Sequence, residues 1–164
     1  LALGGSVQHP GYERVLDRMI EHYSRDLAVR TALFDGMDSV LDAIEARGLV
    51  WGVVTNKRSG FSEPLMKALG LFERAACLIS GDTTRNKKPH PEPLLEACRR
   101  IGIKTAECLY IGDAAKDIQA GTAAGMTTLA ATYGYIDAND DVRAWGATGL
   151  LHHPLDLLQW IDRN

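Results

Sequence analysis

Apolar residues along this chain fall into two kinds of run. In GYERVLDRMIEHYSRDLAV, residues 11–29, Val15, Met19, Ile20, Tyr23 and Leu27 recur at helical spacing with polar residues between them, which predicts an amphipathic helix. GMDSVLDAIEARG repeats the spacing with Val40, Leu41 and Ile44 and closes on Gly48, a residue suited to ending a helix. The pattern then changes. LVWGVVT, ACLIS, CLYIGD and MTTLAAT are short and nearly continuous in apolar character, which predicts strands covered on both faces. Between them SGFSEPLMKALGLF, HPEPLLEACRRIGI and AAKDIQAGTAAG read as helices, the second with prolines in its first turn, where a missing N–H does no harm. TGLLH is expected to be a short edge strand and PLDLLQWIDR a closing helix.

Strands and helices that alternate at these lengths predict βαβ crossovers: an α/β fold with a Rossmann-like parallel sheet and helices on both faces. In such sheets the chemistry lies beyond the carboxyl ends of the strands, so polar residues that directly follow a strand are the ones to weigh. The chain has 164 residues, 46% hydrophobic and 24% charged, enough for one core and typical of a soluble globular protein. A net charge of −3 with scattered Lys and Arg disfavours nucleic acid as a partner. No apolar run approaches a membrane span and no signal peptide is visible. Three cysteines, Cys77, Cys98 and Cys108, lack metal-type spacing and read as small buried hydrophobes in a reducing cytoplasm.

Three polar clusters follow strands. In VVTNK, Thr55 and Asn56 bring a hydroxyl and a turn of backbone N–H groups to a strand end, an arrangement that suits an anion and also suits plain turn punctuation. In NKKPHPEPL, Lys88 precedes Pro89 and Pro91, which fix the backbone and give a compact cation a defined approach; a solvated Lys in a Pro-rich loop is the alternative. His90 has no evident partner. In YIGDAAKDIQAG, Asp113 ends an apolar strand behind Gly112, and Asp117 lies one helical turn on. Two carboxylates converging there require a cation or a Lys between them, and oxygen-only ligation suits Mg²⁺.

Taken in order over residues 34–135, these clusters resemble the second, third and fourth motifs of the haloacid dehalogenase-like hydrolase superfamily. ALFDGMDSVLDAIEARGLVWGVVTNK, KKPHPEPLLEAC, YIGDAAKDIQAGTAAGM and TYGYI are similar to its phosphoglycolate phosphatase group. The resemblance implies a Rossmann-like core, a helical cap, Mg²⁺ and hydrolysis of a phosphomonoester through an aspartyl-phosphate. It implies that Thr55 and Asn56 hold phosphoryl oxygens, that Lys88 balances their charge, that Asp113 binds the metal, and that Asp117 orients Lys88 or a metal-bound water. Thr55, Lys88 and Asp117 are the expected catalytic residues. Ala114 stands where many relatives carry Ser or Thr, and Lys57 is usual for the group.

Asp35 and Asp38 are not the family's nucleophile. Asp35 occupies the place of a turn proline and Asp38 the first turn of a helix, where an acid suits the macrodipole. The family nucleophile ends a strand ahead of the cap. Residues 1–30 look like the end of that cap and 31–164 like the core without its first strand, so the sequence is expected to be a fragment with exposed strand edges. The expected partner is a small phosphorylated metabolite, bound by a monomer or homodimer without nucleic acid or membrane. Phosphoglycolate is the substrate the group implies; TYGYI and WGAT resemble relatives acting on N-acetylmuramic acid 6-phosphate, a second expectation. Haloacid dehalogenases and phosphosugar mutases share the fold, and a non-catalytic binding module is the reading from another class. His152 and His153 are adjacent, project differently and make a poor metal pair.

Overall fold

The strand-forming runs do form strands, each of three to five residues. A computed structural model describes residues 18, 31–137 and 140–163. All of the elements below lie in one compact unit, Leu33–Asn164. The helix expected over residues 11–29, and with it the assignment of residues 1–30 to a cap, lies outside the described residues apart from Arg18.

Helix α1 spans Met37–Ala46 and buries Val40, Leu41 and Ile44, the three residues its apolar spacing singled out. Strand β1 follows at Gly52–Val54, helix α2 at Ser59–Ala68 and strand β2 at Cys77–Ile79. Asp82 accepts the backbone N–H of Ser59 at 2.8 Å and its hydroxyl at 2.9 Å, which satisfies a free donor at the start of α2. Helix α3 spans Glu92–Ile101, strand β3 Leu109–Gly112 and helix α4 Ala115–Ala123. Strand β4 at Thr127–Ala131, strand β5 at Gly149–Leu151 and helix α5 at Asp156–Ile161 complete the order. Short 3₁₀ turns at Thr105–Glu107 and Val142–Trp145 were not expected from periodicity, since a single turn is too short to show one.

All strand pairs are parallel, as the alternation predicted. They form two sheets among the described residues, where the sequence pattern led us to expect one. β1 pairs with β2, Val53 opposite Leu78. β4 lies between β3 and β5, with Ile111 opposite Leu129 and Ala130 opposite Leu150, so TGLLH is the edge strand expected.

Helices hold the two sheets together from both faces. On one face Val40 and Ile44 of α1 and Leu157 of α5 meet Leu129 and Leu151, and Trp51 and Ile111 pack against them. On the other, Leu94 of α3 meets Ala120 and Ala124, and both Val54 and Tyr110 rest on this cluster. β4 is buried along nearly its whole length, as its sequence implied. β1 and β3 are only half-buried, a departure from the expected cover on both faces, because each has one strand neighbour instead of two.

Leu129 is 0% exposed at the centre of the three-stranded sheet. Leu129→Ala leaves a gap that packed surroundings fill only in part, and should destabilise the protein by about 2–5 kcal/mol. Urea unfolding followed by circular dichroism measures this.

Candidate active site

Four of the residues singled out by sequence meet at the carboxyl ends of β1 and β3. The peptide from Thr55 continues β1, and its N–H is spent on Ile79 O at 2.8 Å. Its side-chain oxygen accepts the N–H of Lys57 at 3.1 Å, which leaves the hydroxyl proton to donate elsewhere. Asn56 does something the sequence did not reveal. Its amide donates to Lys88 O and accepts from Lys88 N, both at 3.0 Å, and so clips the loop after β1 to the loop before α3.

This clip aims the Lys88 side chain inward along the strand ends. Its ammonium donates to Val54 O at 2.7 Å and to the Tyr110 hydroxyl at 2.9 Å, and lies 2.8 Å from Asp117 Oδ1. The Lys88 and Asp117 side chains are 8% and 7% exposed. Two hydrogen bonds and an adjacent carboxylate charge thus surround it, the condition under which a buried ammonium is tolerated. Asp117 Oδ1 makes no hydrogen bond despite its proximity to Nζ, because the approach angle is poor; the contact is an ion pair.

Tyr110 and the Val54 carbonyl are site members that sequence reasoning missed. Tyr110 stands inside an apolar strand, where a tyrosine is ordinarily read as packing. Its hydroxyl is held protonated: burial first, then the charges of Asp117 and Asp113, push its pKa up. A neutral phenol can accept from Lys88 and still donate, and it lies 3.5 Å from Val54 O.

Asp113 leaves β3 and is anchored differently from Asp117. Its Oδ2 accepts the Tyr135 N–H at 3.1 Å. Two glycines make room for this pair of acids. A Cβ on Gly112 would lie 2.2 Å from Asp117 Cβ, and one on Gly134 would lie 2.3 Å from Asp113 Cβ. Both acids therefore pack directly on glycine backbone, which explains the Gly-Asp order after β3 and the glycine in TYGYI.

Around Asp113 stands an aromatic group. The Phe34 ring lies 5.3 Å from Tyr133, edge to face, and 5.8 Å from Tyr135. Tyr135 is 90% exposed. Burial and the neighbouring Asp113 and Asp156 charges raise the Tyr133 pKa.

Other sequence candidates lie outside this constellation. Lys87 is exposed. His90 has the partner the sequence left unnamed: its Nδ1 accepts the Glu92 N–H at 3.2 Å, at the start of α3. Asp35 is exposed, and Asp38 stands in the first turn of α1. His152 bonds Thr132 Oγ1 at 2.8 Å, and the N–H groups of His152 and His153 both donate to Asp156.

For a divalent metal the donor set is hard and open. Asp113 is the available carboxylate, since Asp117 Oδ1 lies against the Lys88 ammonium, and no cluster of three or more His, Cys, Asp or Glu side chains capable of holding a metal occurs among the described residues. Mg²⁺ commonly takes one or two carboxylates and fills its remaining positions with water and substrate phosphate, so the residues present fit it and do not form a closed cage.

The same architecture recurs in known proteins. A family model described as Haloacid dehalogenase-like hydrolase matches residues 4–131. An N-acetylmuramic acid 6-phosphate phosphatase of Pseudomonas putida is 46% identical over 93% of this chain and 68% of its own length. A phosphoglycolate phosphatase of Xanthomonas campestris pv. campestris is 41% identical over 88% of this chain and 66% of its own. The crystal structure of a predicted phosphoglycolate phosphatase from Haemophilus somnus 129pt superposes with a TM-score of 0.83 at 26% identity, covering 88% of this chain and 64% of that one. The chain therefore spans about two thirds of the length of these relatives.

Lys88→Met removes the cation and leaves Asp117 buried without a counter-charge, so the variant should lose about 3–5 kcal/mol of stability. The double variant Lys88→Met, Asp117→Leu should recover most of that loss in urea unfolding. A double variant no more stable than the single would show that the ion pair is not the source of the cost.

Proposed function

The chain belongs to the haloacid dehalogenase-like hydrolases, among phosphatases of phosphomonoesters, and from that premise we propose that its residues grip the phosphoryl group of a small phosphorylated sugar while that group is hydrolysed. The observation that carries this reading is the buried Lys88–Asp117 pair at the ends of β1 and β3, with Asp113 lining the same cavity and Thr55 directly following Val54, whose carbonyl holds Lys88.

Each residue then has a task set by its chemistry. The Thr55 hydroxyl, already accepting from Lys57, donates its proton to a phosphoryl oxygen. The loop from Thr55 to Asn56 offers that oxygen a backbone N–H as well. Lys88 faces the phosphate as a positive charge of fixed position, because Asn56, Val54, Tyr110 and Asp117 leave its side chain no freedom to swing. Charge that develops on the transferring group is stabilised without reorganisation of the site. Asp117 acts on Lys88 and not on the substrate. Asp113, held by Tyr135 N–H, supplies a carboxylate to Mg²⁺. When bound, Mg²⁺ supplies further neutralisation of phosphate charge. The attacking carboxylate that an aspartyl-phosphate requires is none of Thr55, Lys88, Asp113 and Asp117. We assign residues 31–164 to the hydrolase core and residues 1–30 to the end of a cap.

For the substrate we favour N-acetylmuramic acid 6-phosphate. The Pseudomonas putida relative supports it, and so does the exposed aromatic group of Phe34 and Tyr135 beside Asp113, which offers a sugar ring an apolar face that a two-carbon acid cannot use. Phosphoglycolate is the second reading, supported by the Xanthomonas relative.

The test is Mg²⁺-dependent phosphate release by the product of the full reading frame that contains these residues, assayed on both esters. Lys88→Arg and Asp113→Asn should each lower kcat/KM by about 10²-fold or more, and removing Mg²⁺ with a chelator should abolish turnover. The sugar phosphate should have the higher kcat/KM. Full activity in either variant would refute the assigned roles, and preference for 2-phosphoglycolate would reverse the substrate order.

A further inference from the structure

One pair of nucleophilic side chains stands apart from the chemistry above, at the amino end of β3. Cys98 lies in the second half of α3, and Cys108 directly precedes β3. Between them Gly102, with φ 73°, ends the helix, and the 3₁₀ turn Thr105–Glu107 leads into the strand. The chain folds back over that stretch and brings Cys98 Sγ to 3.7 Å from Cys108 Sγ, ten positions on. The expectation that all three cysteines are small buried hydrophobes holds for Cys77 and Cys98 and fails for Cys108, which is only half-buried.

Hydrogen bonding gives the two thiols different parts. Each has a single proton to donate. Cys108 donates its own to Lys104 O at 3.4 Å, so the bond between the two sulfurs is donated by Cys98 and accepted by Cys108. Burial first, then this bond, then the other two cysteines push the Cys98 thiol up to about 12, and it keeps its proton. Cys108 is therefore the thiol within reach of solvent, with a donor already set against its sulfur that favours the thiolate when it forms. Cys77 is enclosed in another way. It packs on Gly52, where a Cβ would lie 2.6 Å from its sulfur, and burial raises its pKa.

We propose that Cys98 and Cys108 form a reversible redox modification site, at which a peroxide oxidises Cys108 and Cys98 converts the product to a disulfide. The Cys108 thiolate attacks one oxygen of hydrogen peroxide and gives up two electrons. An S–O bond forms, the O–O bond breaks, and the hydroxide released takes up a proton to become water. The Cys98 sulfur then attacks the Cys108 sulfur. The S–S bond forms, the S–O bond breaks, and the Cys98 proton leaves with the hydroxyl as a second water. A dithiol reductant restores both thiols by exchange. A disulfide needs its sulfurs at about 2 Å, and these two start in contact, so resolution competes well with further oxidation of Cys108 to a sulfinic acid. The inference stands on this pair of thiols and not on the reaction proposed above.

The test is oxidation of the product of the full reading frame, reduced beforehand, with hydrogen peroxide, followed by blocking of free thiols and tryptic digestion. Cleavage after Arg99 and Lys104 places the two cysteines on separate peptides, residues 88–99 and 105–116, so the disulfide shows as these two joined and released by reductant. The joined pair should form at least about tenfold faster in the folded protein than in urea, with Cys77 left as a free thiol. Cys77→Ser should not change this. In Cys98→Ser the sulfenic acid of Cys108 has no resolving thiol and should be captured by dimedone. In Cys108→Ser, capture at Cys98 should be at least about tenfold lower. Joining no faster in the folded protein than in urea, a disulfide to Cys77, or oxidation of Cys108 to sulfinic acid without joining would each overturn the inference. Equal dimedone capture at the two positions would overturn it as well.

Discussion

A lysine ammonium held away from water sets the terms for the rest of this molecule. Taking such a charge out of solvent costs several kcal/mol unless good partners replace the lost hydration. Lys88 meets that condition only because three elements end at one place: β1 gives a carbonyl, β3 a phenol and α4 a carboxylate. Each contribution constrains its own neighbourhood. Asp117 can reach Lys88 from the first turn of α4 because Gly112 lets its side chain lie against the end of β3. Asn56 then fixes where the lysine enters by bonding the Lys88 backbone in both directions.

Function follows from the balance of charge at this point. A cation already neutralised by Asp117 and positioned by neutral oxygens is poor as a nucleophile or base and well suited as a fixed electrostatic partner for an anion. Asp113 is held by a backbone N–H, and it is the carboxylate we propose for the metal. The aromatic group of Phe34, Tyr133 and Tyr135 lies beside Asp113, so apolar contact and charge are set next to each other. Lys88, Asp113 and Asp117 line one cavity between β1 and β3.

Much of this was legible in the sequence where the signal was local. The 3.6-residue spacing of Val40, Leu41 and Ile44 gave α1, and the apolar runs gave the strands to within a few residues. The positions of Thr55, Lys88, Asp113 and Asp117 after strands were visible for the same reason, since strand ends are where polar residues interrupt apolar runs. What could not be read depended on long-range contacts. The Asn56 clip joins residues 32 apart, and the Tyr110 hydroxyl meets Lys88 across 22 residues. The half-exposure of β1 and β3 was hidden because apolar content reports what a strand is built to contact and not how many neighbours it has. The aromatic group escaped notice because Phe34 and Tyr135 are a hundred residues apart in the chain.

The most direct measurement is a crystal structure of the protein grown with Mg²⁺ and inorganic phosphate. The account predicts phosphate held by the Thr55 hydroxyl and the Lys88 ammonium, with the metal on Asp113 and the Lys88–Asp117 pair intact. Phosphate bound away from the ends of β1 and β3, or a metal that displaces Lys88 from Asp117, would contradict it.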